Sequence, residues 1–321
     1  MLSYAARRLG ESLVVLFVMS FLVYGLIGLM PGDPIDLMIS ANPNFTAEDA
    51  QRLKALYGLD RPLWERYGAW LGAALQGDFG YSRLYQQPVG EILLPRLGWT
   101  TLLLGVSLAL SLAIAIPLGL AAAARPYSPV DYGINLVCFA GISVPPFWLA
   151  LILILLLAVP FQGIPAGGMG EPDASLWARL PYLFLPVLTL TLASVGGFTR
   201  FMRAAVLEAL SQDHIRTARA KGLSRRRILV AHALRNALLP LVTVVALSFG
   251  TLFSGALITE TMFSWAGMGR TIYEATLGND YNLALLGLLT ATGFTLAGNI
   301  LADLLYAGLD PRISYRAGGD R

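Results

Sequence analysis

Repeated runs of uncharged apolar residues, each about 20 residues or longer, constrain this chain more than any other feature. A helix of that length crosses a hydrocarbon core of about 30 Å. Of the 321 residues 56% are hydrophobic and 13% charged, and the mean hydropathy is +0.63, values foreign to an ordinary soluble domain. The spans are predicted to be helical throughout, because lipid offers backbone polar groups no partner outside their own segment. Six are legible, over residues 9–30, 99–124, 133–159, 181–201, 237–260 and 283–305. The first follows Arg7 and Arg8 in the manner of a signal peptide. It is span-length, however, and "GLMPGDP" after it lacks a small-residue cleavage pattern, so it reads as an uncleaved helix. The expected fold class is an all-α integral membrane protein with six transmembrane helices and an outer lobe between the first two.

Basic residues orient the bundle. With the N-terminus inside, the inner segments carry 15 of the 23 lysines and arginines and the outer segments 8, which predicts cytoplasmic N- and C-termini. The formal charge of +3 and pI near 9.0 follow from this asymmetry and give no reason to invoke nucleic acid. The outer segment, 31–98, is the one sizeable polar region. In "FTAEDAQRLKALYGLDRP" Thr46 caps a helix, Asp49 completes a capping box, and Gly58 ends it before Pro62. "LWERYGAWLGAAL" reads as an aromatic-rich helix on the membrane surface, either covering the bundle or docking a partner. Asn44-Phe45-Thr46 has the form of a glycosylation acceptor.

Several chemistries are disfavoured. No Gly-Lys pair occurs, so the phosphate-binding loop G-x-x-x-x-G-K-[ST] is missing and this chain is not expected to bind ATP by that device. His214 and His232 stand apart in one basic loop without a cysteine nearby, which speaks against zinc. The lone Cys138 lies in an apolar run and reads as a packing residue. An intramembrane protease needs paired groups within the bilayer. Asp303 is read as the one acid well inside a span, with Asn299 one turn earlier on the same face. A pairing with Arg200 or Arg203 is expected for it, with proton coupling as the rival reading.

The basic loop at 206–236 is the most informative segment. Gly222 is predicted to end a short helix over 217–221 in a left-handed conformation, and Ser224 to cap the next. Arg225, Arg226 and Arg227 then fall in a first helical turn, where the helix dipole opposes positive charge. Either anionic headgroups or an acidic partner surface would compensate.

"ARAKGLS" (Ala218, Arg219, Ala220, Lys221, Gly222, Leu223, Ser224) followed by "HALRNALLP" (232–240) resembles the cytoplasmic signature loop of ABC-transporter permease subunits of the dipeptide/oligopeptide/nickel subfamily. "PGDP" (31–34), "YGLDRPLWERYGAWL", "GDFGYS", "PVGEI", "SVPPFWLAL", "GALITETMFSWAGMGR" and "NILADLLYAGLDPRISY" resemble subfamily positions in the same order, so the likeness runs over nearly the whole chain. There are departures. Arg216-Thr217-Ala218 stands where the broader family has Glu-Ala-Ala, so the glutamate's role does not carry over. Ala266 stands where relatives often have proline.

The resemblance implies a type I ABC importer permease fold, with 1–30 as tail and first helix, 31–98 as outer lobe, 99–310 as core and 311–321 as cytoplasmic tail. It further implies a non-catalytic half-channel that pairs with a second homologous permease. Two ATPase subunits that bind ATP and Mg, and an extracytoplasmic substrate-binding protein, complete the complex in the inner membrane. By the same resemblance, Asp213, Thr217, Ala218, Arg219, Ala220, Lys221, Gly222, Leu223, Ser224 and Arg225 couple to the ATPase. Glu260, Phe263, Trp265, Gly267 and Gly269 belong to an outer gate that meets the binding protein. Peptides are the implied cargo, with nickel complexes and other small solutes among relatives. A membrane scaffold or lipid-binding protein, its basic loop resting on headgroups, is the alternative.

Overall fold

Helices supply the regular structure among the described residues, alongside one isolated bridge between Tyr81 and Pro88. The computed structural model describes residues 2–29, 61–171 and 173–309. The helix expected at Thr46, with Asp49 and Gly58, the Asn44 acceptor pattern, the "PGDP" motif and the tail from 311 lie outside the described residues. In chain order the helices are α1 (Leu2–Gly28), α2 (Leu63–Ala74), α3 (Val89–Ala124), α4 (Pro129–Ser143), α5 (Pro146–Ala158) and α6 (Leu176–Ser211). Then follow α7 (Asp213–Ala220), α8 (Arg225–Leu247), α9 (Phe249–Met262), α10 (Met268–Leu277) and α11 (Tyr281–Leu309). Stretches of α1, α3, α6, α8 and α11 are each long and apolar enough to cross a membrane, and α4 with α5, taken together as one bent pair, are apolar enough for a sixth.

That sixth span is broken, where the sequence suggested one continuous helix over 133–159. α4 and α5 meet at a 100° bend. The cause is local: a residue before proline is pushed out of the helical region. Val144 is extended at φ −90°, ψ 122°, and Pro145 at φ −60°, ψ 138°; Pro146 then opens α5 at a position that needs no N–H. The fifth span also differs. It begins at Arg225 rather than near 237, contains a π-wound stretch at Ile228–Ala233, and is interrupted at Ser248 before α9 resumes it. Its basic first turns were read as loop because apolar composition marks only the lipid-embedded part of a longer helix. At 1.5 Å per residue the 36-residue helices α3 and α6 extend to about 54 Å, well beyond a hydrocarbon core.

The chain divides into two compact units: Met1–Leu9, Thr100–Ala266 and Thr295–Arg321 form one, Gly10–Trp99 and Gly267–Phe294 the other. In the first, α6 packs against α4, α5, α7, α8 and α9. Phe198, Met202, Val206 and Ala209 of α6 form a core with Ile215 and Ala218 of α7 and Ile228, Ala233, Ala237 and Leu241 of α8. Small residues set the closest approaches, as expected where lipid supplies little hydrophobic drive between helices. A Cβ on Gly196 of α6 would lie 2.6 Å from the Cys138 carbonyl oxygen of α4.

In the second unit, α2 lies against α1. Its buried Tyr67 sits edge-on to Phe17, Phe21 and Tyr24, and the Tyr67 and Ser20 hydroxyls are 2.7 Å apart. The "GDFGYS" motif forms a turn with Gly77 and Gly80 at positive φ. Asp78 Oδ1 accepts from the Gly80 amide at 2.9 Å, and a Cβ on Gly80 would meet Asn282 Nδ2 at 2.7 Å.

The contact at Gly196 yields a paired prediction. Gly196→Val forces α4 and α6 apart and destabilises the protein by about 1–3 kcal/mol. Gly197→Val adds its side chain where a Cβ meets nothing within 4 Å. The thermal midpoint of the detergent-solubilised protein should fall for the first variant and stay near the parent for the second.

Candidate functional site

The basic loop is built as helix, turn, helix. α7 runs over Asp213–Ala220, starting before the expected residue 217. It ends in a full Schellman motif: the Leu223 amide donates to the Ala218 carbonyl at 3.3 Å and the Gly222 amide to the Arg219 carbonyl at 2.9 Å. Gly222 has φ +75°, so the turn needs a residue that tolerates the left-handed region. A Cβ there would meet nothing within 4 Å; the requirement is conformational and not steric crowding. Ser224 Oγ accepts from the Arg227 amide at 3.4 Å and starts α8.

The loop has two faces. Ile215 and Ala218 are buried in the α6–α8 core, and Leu223 packs on it. Asp213, Thr217, Arg219, Ala220, Lys221, Gly222, Ser224 and Arg225 are exposed, and the Asp213–Arg216 pair at 3.2 Å lies in solvent. Arg225 donates to the Ala124 carbonyl at the end of α3, which places its cation on a helix C-terminus where the dipole favours it. That contact compensates part of the unfavourable charge at the start of α8. His214 lies 2.9 Å from Asn236 Nδ2.

The intramembrane charges are paired differently from expectation. Asp303 pairs with Arg8 of α1, at 3.1 Å from Nε to Oδ2, and not with Arg200 or Arg203. Those two are committed elsewhere. Arg200 stacks over the Phe139 ring at 4.1 Å, and Arg203 forms a bidentate pair with Asp131 of α4. Asn299 is half-buried one turn before Asp303 on α11. Nor is Asp303 the one acid within the helical bundle. Asp131 is 2% exposed and Glu260 fully buried, its Oε1 accepting from Thr100 Oγ1 at 2.6 Å. Both had been placed at or beyond span ends. Asp131 carried a signal, since Ser128-Pro129-Val130-Asp131 has the form of a capping box, and Ser128 Oγ does accept from the Asp131 amide at 3.3 Å.

The loop after α9, expected at the outer side, closes on a second Schellman turn. The Trp265 amide reaches the Glu260 carbonyl at 2.9 Å, with Ser264 at φ +51° in the left-handed position usually held by glycine. Phe263 and Trp265 are buried. The Phe263 carbonyl accepts from the Gly168 amide at 2.8 Å, and a Cβ on Gly167 would sit 2.5 Å from that oxygen. The Ala266 amide, 3.2 Å from Met169 Sδ, makes a contact that a proline at this position would forbid. Arg179, nearly buried, donates to the carbonyls of Met169, Glu171 and Ala174, each at 3.1 Å. This segment between α5 and α6 was not singled out from sequence, because its organising bonds run to backbone carbonyls.

Gly267 and Gly269 belong to the second unit. Gly267 precedes α10 in an extended conformation, and Gly269 is buried in its first turn. α10 also ends in a Schellman turn, at Asn279 with φ +54°. Asp280 beyond it is 2% exposed and accepts from Ser82 Oγ at 2.5 Å and from the Leu84 amide at 3.0 Å. Tyr85 donates to Glu274 at 3.0 Å, and burial together with that carboxylate pushes its phenol above the usual range. Arg270 holds the other Glu274 oxygen at 2.6 Å. The polar motifs in this unit therefore cross-link the α2–α3 segment to α10.

An apolar cavity of about 500 Å³ lies among α3, α4, α5 and α6, lined by residues that include Gly133, Cys138, Gly141, Leu192 and Gly196. Among the described residues no group of three His, Cys, Asp or Glu side chains is arranged to hold a metal.

Residues 115–315 match the family described as binding-protein-dependent transport system inner membrane component, and residues 1–104 match the corresponding N-terminal family. The chain is 38% identical over 318 residues to the oligopeptide transport system permease protein AppB of Bacillus subtilis, covering 98% of this chain and 100% of that protein. It is 39% identical over 316 residues to a putative peptide permease protein of Brucella suis, covering 98% and 99%. It is 34% identical over 340 residues to the dipeptide transport system permease protein DppB of Escherichia coli, covering 98% and 100%.

Arg179 provides the test of the outer loop. Arg179→Met retains the side chain's length and loses its donors to three carbonyls. Hydrogen exchange at the Gly168 amide should accelerate by about tenfold or more, corresponding to a loss of about 1.4 kcal/mol of local stability.

Proposed function

The chain belongs to the family of binding-protein-dependent transport system inner membrane components, and on that premise we propose that it is one permease subunit of an ATP-driven peptide importer. It forms half of the translocation pathway and pairs with a second permease of the same kind. Two ATPase subunits bind on the cytoplasmic side, hydrolyse ATP and drive transport, while an extracytoplasmic binding protein delivers di- or oligopeptides. The N- and C-termini lie in the cytoplasm. The full-length similarity to proteins named for oligopeptide and dipeptide transport supports the cargo.

One structural observation carries the mechanism: the loop that matches the permease signature is two-faced. Its inner face is buried in the α6–α8 core through Ile215 and Ala218, while its outer face, from Asp213 to Arg225, offers exposed polar and basic groups. A helix held in that way fits a groove on an ATPase and transmits displacement into the bundle. A scaffold resting on headgroups would need the charge but not the buried face. At the outer end, Glu260, Phe263, Trp265, Gly267 and Gly269 lie in or beside the loop that meets the binding protein.

Mild solubilisation from native membranes should recover this chain with a second six-span permease and nucleotide-binding subunits, identified by mass spectrometry. Recovery of the chain alone, under conditions that preserve such complexes, would overturn the importer reading. Within the recovered complex, Gly222→Val strains the left-handed turn by about 1–2 kcal/mol. It should reduce peptide uptake per ATP hydrolysed without preventing membrane insertion. Gly222→Asn, which tolerates positive φ, should retain most coupling.

A further inference from the structure

Asp131 has every lone pair engaged. Its Oδ1 accepts from Arg203 Nε at 2.6 Å and Asn135 Nδ2 at 2.7 Å, and its Oδ2 from Arg203 Nη2 at 2.6 Å and the Tyr127 amide at 2.8 Å. Tyr127 is held at φ +62° in the turn between α3 and α4. Three segments thus converge on one carboxylate: the end of the α3–α4 turn, the first turn of α4, and α6. A desolvated ion pair is a weak source of stability compared with apolar side chains of similar size. Its bidentate geometry instead fixes the relative orientation of two elements.

Position shows what that orientation serves. Arg203 stands about two turns before the end of α6, and after Gln212 alone the chain enters α7. Ile215 and Ala218 of α7 are buried with Met202, Val206 and Ala209 of α6, so the end of α6 and α7 move together. α4 lines the 500 Å³ cavity through Gly133, Cys138 and Gly141, and at its far end the 100° bend at Val144-Pro145 releases it from α5. Along their length α4 and α6 touch backbone to side-chain position at Cys138 and Gly196. Gly141 against the Leu192 carbonyl and Phe139 under Arg200 join the same two helices, and none of these contacts has a directional, bidentate geometry. The tie at Asp131 and Arg203, about 10 Å from Gly196 along α6 at 1.5 Å per residue, adds the bidentate bond that holds the two helices in one relative orientation.

We infer that the Asp131–Arg203 pair is a latch that makes α4 follow α6 and α7 as one lever, carrying displacement of the signature loop to the α4 wall of the cavity. Arg203 and Asp131 are positioning residues, and the bend at Val144-Pro145 takes up the rotation. The inference rests on the reading of α7 as the ATPase contact.

The test uses the complete transporter, reconstituted in liposomes with its co-purifying partners and supplied with a radiolabelled tryptic digest as the peptide source. The double variant Asp131→Asn with Arg203→Gln removes both charges and leaves no unpaired ion. Its complex should assemble and hydrolyse ATP, while ATP consumed per peptide imported rises about fivefold or more, the scale of an ordinary coupling free energy. Arg203→Lys, which retains the charge without the fork, should fall between the double variant and the parent. A purely structural pair would lower complex yield, hydrolysis and uptake in parallel and leave the ratio unchanged; that result, or an unaltered ratio in a normally assembled complex, overturns the latch. If the double variant does not assemble, the ratio for Arg203→Lys decides the matter by the same criterion. Absence of ATP-driven uptake in the parent complex would instead overturn the importer reading, and the latch with it.

Discussion

Hydrocarbon cannot hydrogen-bond to a peptide group, and the rest of this structure follows from how the chain meets that demand. Long helices satisfy their own backbone, so α1, α3, α6 and α11 cross with few interruptions. Interruptions are confined to places with a specific remedy. After Val144 two consecutive prolines, Pro145 and Pro146, lack the amides that would need partners, and the flanking helices start and stop around them. The Ser248 amide at the α8–α9 interruption reaches the Val244 and Val245 carbonyls at 3.0 and 3.1 Å, and its hydroxyl bonds the Val244 carbonyl at 2.7 Å. At both places the interruption falls where an amide is missing or finds another acceptor, while the Thr243 and Thr259 hydroxyls are buried without a partner.

The same demand governs side chains. Among the described residues, buried polar groups are tied to partners, Arg203 to Asp131, Glu260 to Thr100 and Arg179 to a set of carbonyls, and the partly exposed Arg8 is tied to Asp303. These ties join elements that are distant in the chain, so polar satisfaction and mechanical connection are one arrangement. The signature loop shows the complementary case. Its inward residues Ile215 and Ala218 are small or aliphatic and buried in the core of α6 and α8, while its charged residues lie on the exposed face.

How much was legible depended on the range of the interaction. Gly222 and Ser224 were readable as turn and cap because both act within five residues of themselves. The bend at Val144-Pro145 was signalled by its prolines, although one span was drawn continuously over 133–159. The partner of Asp303 was misassigned, since Arg200, Arg203 and Arg8 are equivalent in sequence, and choosing among them requires knowing which helices pack together. Asp131 escaped notice, and Glu260 was read as a gate residue at a span end and not as a buried group, because the span limits were drawn by hydropathy. A carboxylate that is buried and paired then looks like the edge of a loop.

By itself the sequence determined the all-helical membrane class, six crossing segments and the family, because apolar run length and short motifs are local properties repeated along the chain. It also determined the left-handed turn at Gly222, where φ is +75°. Only the tertiary structure decided which charges meet. Asp131 and Arg203 are 72 positions apart, and Arg8 and Asp303 are 295 apart. No periodicity or propensity spans such separations. Those pairs exist because small residues such as Gly196 let particular helices approach closely, and the energetic penalty of an unpaired ion in an apolar interior then selects the partner within reach.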